Sequence, residues 1–300
     1  MKSSKKGIAL LVTLMFVIVI SVAIGFGLKQ VNSASEIVQE ENFMYQSSII
    51  VEDILNILKK SPDIQKIADS NSSSELYMFL SQTSLIPFDI SGLNVILKVS
   101  SARKTFNPSY LHNSQKLSSL MRQYLNNNGV NSQYLEILVD NLSGIKVDNS
   151  YNSRIFDENP YLFRDFIASE AHLKVINDFY TKEYGDNSLQ NINFEKLFYF
   201  GPDSNITIDL NYATPEVWEF MLGTTRERAE ELSMGGGAYS SEIDLSLSDD
   251  EKRNLREFSV AYFVPTLLVE IEILKSKSSS KISFEYDILT QKGSNFVYEI

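Results

Sequence analysis

Few residues in this chain could do chemistry. It has two histidines, His112 and His172, and no cysteine. Neither histidine stands in an HExxH, paired-ligand or nucleophile-elbow spacing, so both read as surface or packing residues. Gly235-Gly236-Gly237 has the backbone freedom to line an oxyanion, but no serine or histidine motif accompanies it, and it reads as a mobile loop. Asp148, Asn149, Asn152, Asp157 and Glu158 put hard oxygen ligands into a short stretch. Calcium prefers such donors, although the glycine and terminal glutamate of an EF-hand register are missing. Ser248-Asp249-Asp250-Glu251 has capping-box spacing, which accounts for its acidity without a metal. The residues thus name no catalytic group and no cofactor-binding group. Calcium is the one cofactor left open, with its ligands unassigned.

The elements around these groups follow from periodicity. Ile50, Ile54, Ile57 and Leu58 keep helical spacing up to a stop at Ser61-Pro62, and such an apolar stripe would pack on a sheet. Asp69 to Ser74 reads as a loop, and Gly92 to Ser100 as the first strand. Leu117, Leu120, Met121, Tyr124 and Leu125 share a helical face that ends at Asn126-Asn127-Asn128-Gly129. Leu135, Leu138, Val139 and Leu142 repeat the spacing to make a helical hairpin, and a further helix is expected from Phe166 to Tyr180 with Leu173, Ile176 and Tyr180 buried. Thr214-Pro215-Glu216 is a helix start with threonine as N-cap, proline at the first position and an acid in the first turn. Val217, Trp218, Met221 and Leu222 would face a core, Gly223 would turn the chain, and a second helix would run through Ala229 and Leu232. From Val269 the period changes to two: Val269, Ile271 and Ile273, then Ile282, Phe284, Tyr286 and Ile288, alternate with polar neighbours. Ser294 to Ile300 would add a third strand.

A helix-Gly-helix unit also occurs in DNA binders. Here 38 acidic against 27 basic side chains leave a net charge of −11, which opposes nucleic-acid and anionic-lipid surfaces. At 300 residues the chain suffices for one large or two modest domains. The lack of cysteine leaves the redox compartment unread.

The N-terminus is the most particular part of the sequence. Twenty-two uncharged residues, Gly7 to Leu28, follow a leader bearing Lys2, Lys5 and Lys6. At about 1.5 Å per residue this stretch can cross a hydrocarbon core of about 30 Å, necessarily as a helix. The lysines place the leader in the cytoplasm and the remainder in the periplasm. The Lys5-Lys6-Gly7-Ile8-Ala9-Leu10-Leu11-Val12 stretch resembles the type IV prepilin leader. That resemblance implies cleavage by a membrane prepilin peptidase between Gly7 and Ile8, N-methylation of Ile8, and retention of the apolar helix. The loss of three lysines from −11 would take the mature side chains to −14.

Pilins and major pseudopilins carry a glutamate at the fifth mature position, where this chain has Val12. A carboxylate in the bilayer is tolerated there because it pairs with the amine of a neighbouring subunit. A subunit without it can still sit first, at a tip. This pattern resembles the K-type minor pseudopilin of type II secretion systems, a pilin with a large helical insertion. Two internal stretches are similar to that family's motifs. Val95 to Val99 lead to Lys104-Thr105-Phe106-Asn107-Pro108, where Pro108 replaces an aliphatic residue. Ile206 to Val217 contain Asp209-Leu210-Asn211-Tyr212-Ala213-Thr214-Pro215, where Asp209 stands for an asparagine and Tyr212 for a threonine. The family binds calcium in its headpiece, but its acidic stretch is replaced here by Val139-Asp140-Asn141-Leu142-Ser143-Gly144.

The resemblance implies an α+β, pilin-like fold: a long N-terminal membrane-spanning helix packed on a small antiparallel sheet, with an inserted mainly helical domain. The boundaries expected are a leader at 1–7, a transmembrane helix at 8–28, a first pilin-like part at 29–105, an inserted helical domain at 106–256 containing a helix-turn-helix unit at 206–234, and C-terminal strands at 257–300. The function implied is a non-enzymatic minor pseudopilin at the tip of the pseudopilus, initiating or capping its assembly for secretion across the outer membrane. Its partners would be other minor pseudopilins, the major pseudopilin, the prepilin peptidase and the inner-membrane secretion platform, with no nucleic acid. It would be a single-pass inner-membrane protein with a periplasmic C-terminal domain. The rival readings are a minor pilin that initiates type IV pili, and a membrane-anchored periplasmic hydrolase or sensor.

Overall fold

The computed structural model describes residues 45–83, 85–90, 93–202, 206–275 and 278–299. Gly7, Ile8, Val12 and the apolar stretch to Leu28 lie outside the described residues. Among those described, no helix is long and apolar enough to cross a membrane. Two compact units divide the chain, Met1–Leu58 and Lys59–Ile300.

The described residues of the first unit are all helical, belonging to α1 (45–60), whose last two residues fall in the second unit. Ser47, Ile50, Val51, Ile54 and Leu58 are buried at helical spacing. Ile57, expected on that stripe, is exposed. It lies three residues after Ile54 but on the flank of the buried face, where Val51 and Leu58 hold the central positions.

The second unit begins with two short helices that composition alone reads as a stop and a loop. Ser61 caps α2 (Pro62–Ser70) with Pro62 in its first turn, and Asn71 ends it in the left-handed region at φ +48°. Ser72 Oγ accepts from Glu75 N at the start of α3 (Ser73–Thr83). The polar run from Asp69 to Ser74 is therefore one C-cap followed by one N-cap, since serine and asparagine serve helix ends as readily as loops. A strand then precedes the expected one: β1 (Ile86–Ile90) pairs antiparallel with β2 (Leu93–Ser101).

These two strands open a five-stranded antiparallel sheet of order β1-β2-β5-β6-β7, completed by β5 (Thr266–Lys275), β6 (Ser278–Asp287) and β7 (Lys292–Glu299). The period-two pattern sets its register. Val99 opposes Val269, and Val269 opposes Phe284; Leu97 opposes Ile271, and Ile271 opposes Ile282. These rows share the buried face. On the other face Lys98 lies directly opposite Glu270, its ammonium 2.9 Å from the carboxylate.

Between β2 and β5 the chain is mainly helical. It contains α4 (Gln115–Asn127), α5 (Gln133–Leu142), a single turn α6 (Ile155–Glu158), α7 (Glu170–Tyr184), a single turn α8 (Phe194–Leu197), α9 (Pro215–Leu222), α10 (Arg226–Met234) and α11 (Asp249–Leu255). The chain also forms a two-residue parallel pairing of β3 (Ile208–Asp209) with β4 (Val260–Ala261). The helix expected from Phe166 starts later, because Ser169 is its N-cap and accepts from His172 N; Gly185 ends it at φ +63°. The caps at Ser248 and Glu251 form the reciprocal box that their spacing predicts.

The centre of this part is α9. Thr214 Oγ1 accepts from Val217 N, Pro215 takes the first turn, Gly223 ends the helix at φ +63°, and every residue from Glu216 to Leu222 is buried. A helix buried all round needs neighbours on every side, and α4, α8, α10 and α11 supply them. Trp218 is wholly buried and meets Tyr239 edge to face at 6.4 Å. Trp218→Ala should therefore open a cavity and cost about 3 to 5 kcal/mol, measurable as a lowered urea midpoint with an unchanged slope. An unchanged midpoint would contradict the core role.

Candidate functional site

The two motif segments that lie about a hundred positions apart meet in space. After β2 the chain runs through Arg103-Lys104-Thr105-Phe106-Asn107 between two other stretches and bonds to both. Asp209 N donates to Arg103 O at 2.8 Å, and Thr214 N donates to Lys104 O at 3.2 Å. Phe106 N donates to Leu197 O at 2.9 Å, and Tyr199 N donates to Phe106 O at 2.7 Å. The Phe106 ring packs edge-on against Phe220 of α9 at 4.9 Å and against Phe258 at 5.7 Å. Pro108 also has a reason. Asn107 Oδ1 accepts from Ser109 N, and Pro108 begins a short 3-10 helix to Asn113, a position where a proline loses no hydrogen bond.

Asn211 is the organiser of the second segment and is only 4% exposed. Its Nδ2 donates to Tyr239 O at 2.9 Å and Tyr262 O at 2.6 Å, and its Oδ1 accepts from Gly237 N and Tyr239 N, both at 2.9 Å. Both donors and both acceptor positions are thus used, so burying this amide leaves nothing unsatisfied. The glycine run belongs here and is no free loop. Gly237 holds φ +88° while donating to Asn211, and a Cβ on Gly236 would lie 2.4 Å from Asn211 O. Glycine is required by close backbone approach, a signal that composition alone does not separate from flexibility.

Asp209, also buried, accepts from Asn211 N at 3.0 Å and from Val264 N at 2.7 Å. Burial pushes its carboxyl up to about 6 against the opposing pull of those two amides. A third buried group joins the helical part to the sheet. Arg103 grips Glu285 of β6 with two bonds of 3.0 and 2.7 Å, and Tyr199 OH donates to Glu285 Oε1 at 2.9 Å. The paired side chains are 12% and 5% exposed. Nothing in the local sequence around Arg103 or Glu285 signals this pair, which spans 182 positions.

The other groups that could do chemistry stay apart. His112 is exposed with Nδ1 2.6 Å from Ser109 O, whereas His172 is nearly buried on α7 and its Nδ1 accepts from Ala168 N at 3.2 Å. The oxygen-rich stretch does not converge on an ion. Asp148 Oδ1 accepts from its own Ser150, N at 3.2 Å and Oγ at 2.8 Å, and Glu158 pairs with Lys182 at 2.7 Å. Asn152 turns its amide nitrogen to Asp140 Oδ1 at 3.1 Å. Asp148, Asn152 and Glu158 are each committed to a protein partner, and among the described residues no three histidine or acidic side chains group to hold a metal ion. The groups that are brought together act through protein partners: they tie strand, loop and helix into one junction.

No protein-family model matches the sequence, and no curated protein does. Among solved structures, the chain is similar to one from the crystal structure of the GspK-GspI-GspJ complex of the enterotoxigenic Escherichia coli type 2 secretion system. The TM-score is 0.50 over 87% of this chain and 99% of that chain, at 12% identity. The likeness concerns the fold: mixed helices and an antiparallel sheet, shared with a component of that complex almost along that component's whole length.

The Asp209 carboxyl gives the junction a pH dependence of defined sign. Its folded value of about 6 lies above the ordinary 3.8. Between those limits the folded chain holds a proton that the unfolded chain has lost, so stability rises as pH falls through 6 and the gain is complete near the ordinary value. The contribution is about 2 to 3 kcal/mol. Urea unfolding at pH 7 and pH 4.5 should show this rise in the wild type and its loss in Asp209→Asn, while equal slopes in both would contradict the assignment.

Proposed function

We propose that this chain is a minor pseudopilin that sits at the tip of a type II secretion pseudopilus and initiates or caps its assembly. The fold shared with a component of the GspK-GspI-GspJ complex over 99% of that component's length carries this reading. Supporting it are the leader with Gly7 before Ile8, the apolar stretch behind them, and Val12 where a propagating subunit needs a carboxylate. In this reading the helix from Ile8 is held in the inner membrane, the rest of the chain faces the periplasm, and the protein catalyses nothing. Its contribution is a shaped headpiece: the junction of Arg103, Glu285, Asp209 and Asn211 fixes the helical part on the sheet, so that partners meet one rigid surface. The partners are other minor pseudopilins below it, then the major pseudopilin and the secretion platform. A minor pilin of type IV pili shares the leader, and the rival is separated by gene neighbourhood.

Two outcomes follow. Co-expression with a prepilin peptidase should remove the first seven residues and leave an N-methylated Ile8, read by mass spectrometry, and Gly7→Val should block the cut. An intact Met1 form beside an active peptidase would argue against the reading. The membrane-extracted chain should also co-purify with minor pseudopilins encoded beside it, in a defined stoichiometry and without forming filaments alone. Self-polymerisation, or no complex, would remove the tip assignment.

A further inference from the structure

The stretch Val139-Asp140-Asn141-Leu142-Ser143-Gly144, which stands in place of the acidic stretch of the resembled family, has its own fastening, built on Asp140. This carboxylate is wholly buried in the last turn of α5, at the negative end of the helix, where a second negative charge is unfavourable. Burial there requires compensation. Asn152 N and Nδ2 donate to Asp140 Oδ1 at 3.0 and 3.1 Å, and Ser153 N and Oγ donate to Oδ2, both at 2.7 Å. Lys146 Nζ lies 4.0 Å from Oδ1 and donates to Ser150 O at 2.9 Å. The intervening loop is closed a second time by Tyr151. Its hydroxyl accepts from Lys146 N at 2.9 Å and from Arg164 at 2.7 Å, and donates to Gly144 O at 3.1 Å.

A divalent cation fastens such a loop by gathering carboxylates and carbonyls around one positive charge. Here the polarity is reversed: one carboxylate gathers two backbone N–H groups, one amide and one hydroxyl. Two other acids of the stretch are turned elsewhere, Asp148 to Ser150 and Glu158 to Lys182. We infer that Asp140 fastens the 144–153 loop in place of a metal ion, so that this part of the protein folds and holds its shape independently of calcium. The inference rests on the geometry of this loop and is independent of the tip assignment.

Amide hydrogen exchange on the full chain in detergent, followed through peptides covering 148–156, tests it. Exchange and melting temperature should be the same in millimolar calcium and in EDTA. Asp140→Asn should accelerate exchange of the Asn152 and Ser153 amides by about tenfold or more, as expected for losing bonds to a charged acceptor, while Asp148→Asn should leave it unchanged. If Asp140→Asn does not fold, Ser153→Ala removes one donor, and its exchange should still rise with the far-UV spectrum intact. Slower exchange or a higher melting temperature with calcium would overturn the proposal. So would unchanged exchange in both the Asp140→Asn and Ser153→Ala chains.

Discussion

A primary amide can make four hydrogen bonds, and in a protein interior each one left unmade costs about 1 to 3 kcal/mol. Asn211 makes all four with the backbone of two segments that are distant in sequence, the glycine run near Tyr239 and the stretch before β5 at Tyr262. That demand specifies where both segments lie. Gly236 must be a glycine because it touches the Asn211 backbone, and Gly237 must turn its N–H inward. Asp209, two positions earlier, extends the same requirement to Val264. The β3 and β4 pairing and the start of α9 are in place once these bonds are made.

The Arg103 and Glu285 pair has a different character. Two charges withdrawn from water are costly unless geometry is good and the remaining lone pairs are used. The bidentate grip and the Tyr199 hydroxyl meet those conditions. Such a pair is a weak source of stability but a strong source of specificity: a sheet displaced by one residue relative to the helical part would leave both charges buried and alone. The pair thus adds an electrostatic constraint to the orientation of the helical part on the sheet, while the interior of that part is held by α9 and the apolar side chains around it.

Elements governed by local rules were legible before the structure. The α9 helix with its threonine cap and glycine end, the α4 and α5 hairpin, the capping box at Ser248 and the alternation in β5 and β6 depend on residues within a few positions of one another. The missed elements have equally local reasons. Serine and asparagine between Asp69 and Ser74 cap helices and also populate loops, and β1 is a short edge strand with Pro87 in it. The junction was half legible. Two motif segments could be singled out, but neither Asn211 as an organiser nor Arg103 with Glu285 could be read, because their partners lie up to 182 positions away. The oxygen-rich loop misled in the opposite sense, since composition counts carboxylates but not where they point.

The pairing of β2 with β5 has a kinetic meaning. Ser101 is opposite Leu267, and Ala102 N donates to Thr266 O at 3.0 Å, so the helical stretch leaves the sheet and re-enters it at the same point. Forming this central pairing in an unstructured chain would mean closing a loop of more than a hundred and fifty residues, which carries an entropic cost. Once the helical stretch has condensed around α9, its two ends are already neighbours and the strands need only zip together. Condensation of the helical stretch would thus remove most of the loop-closure cost of the β2 and β5 pairing. Nascent chains halted before β5 would leave the β5-facing edge of β2 unpaired, the kind of strand edge that invites aggregation.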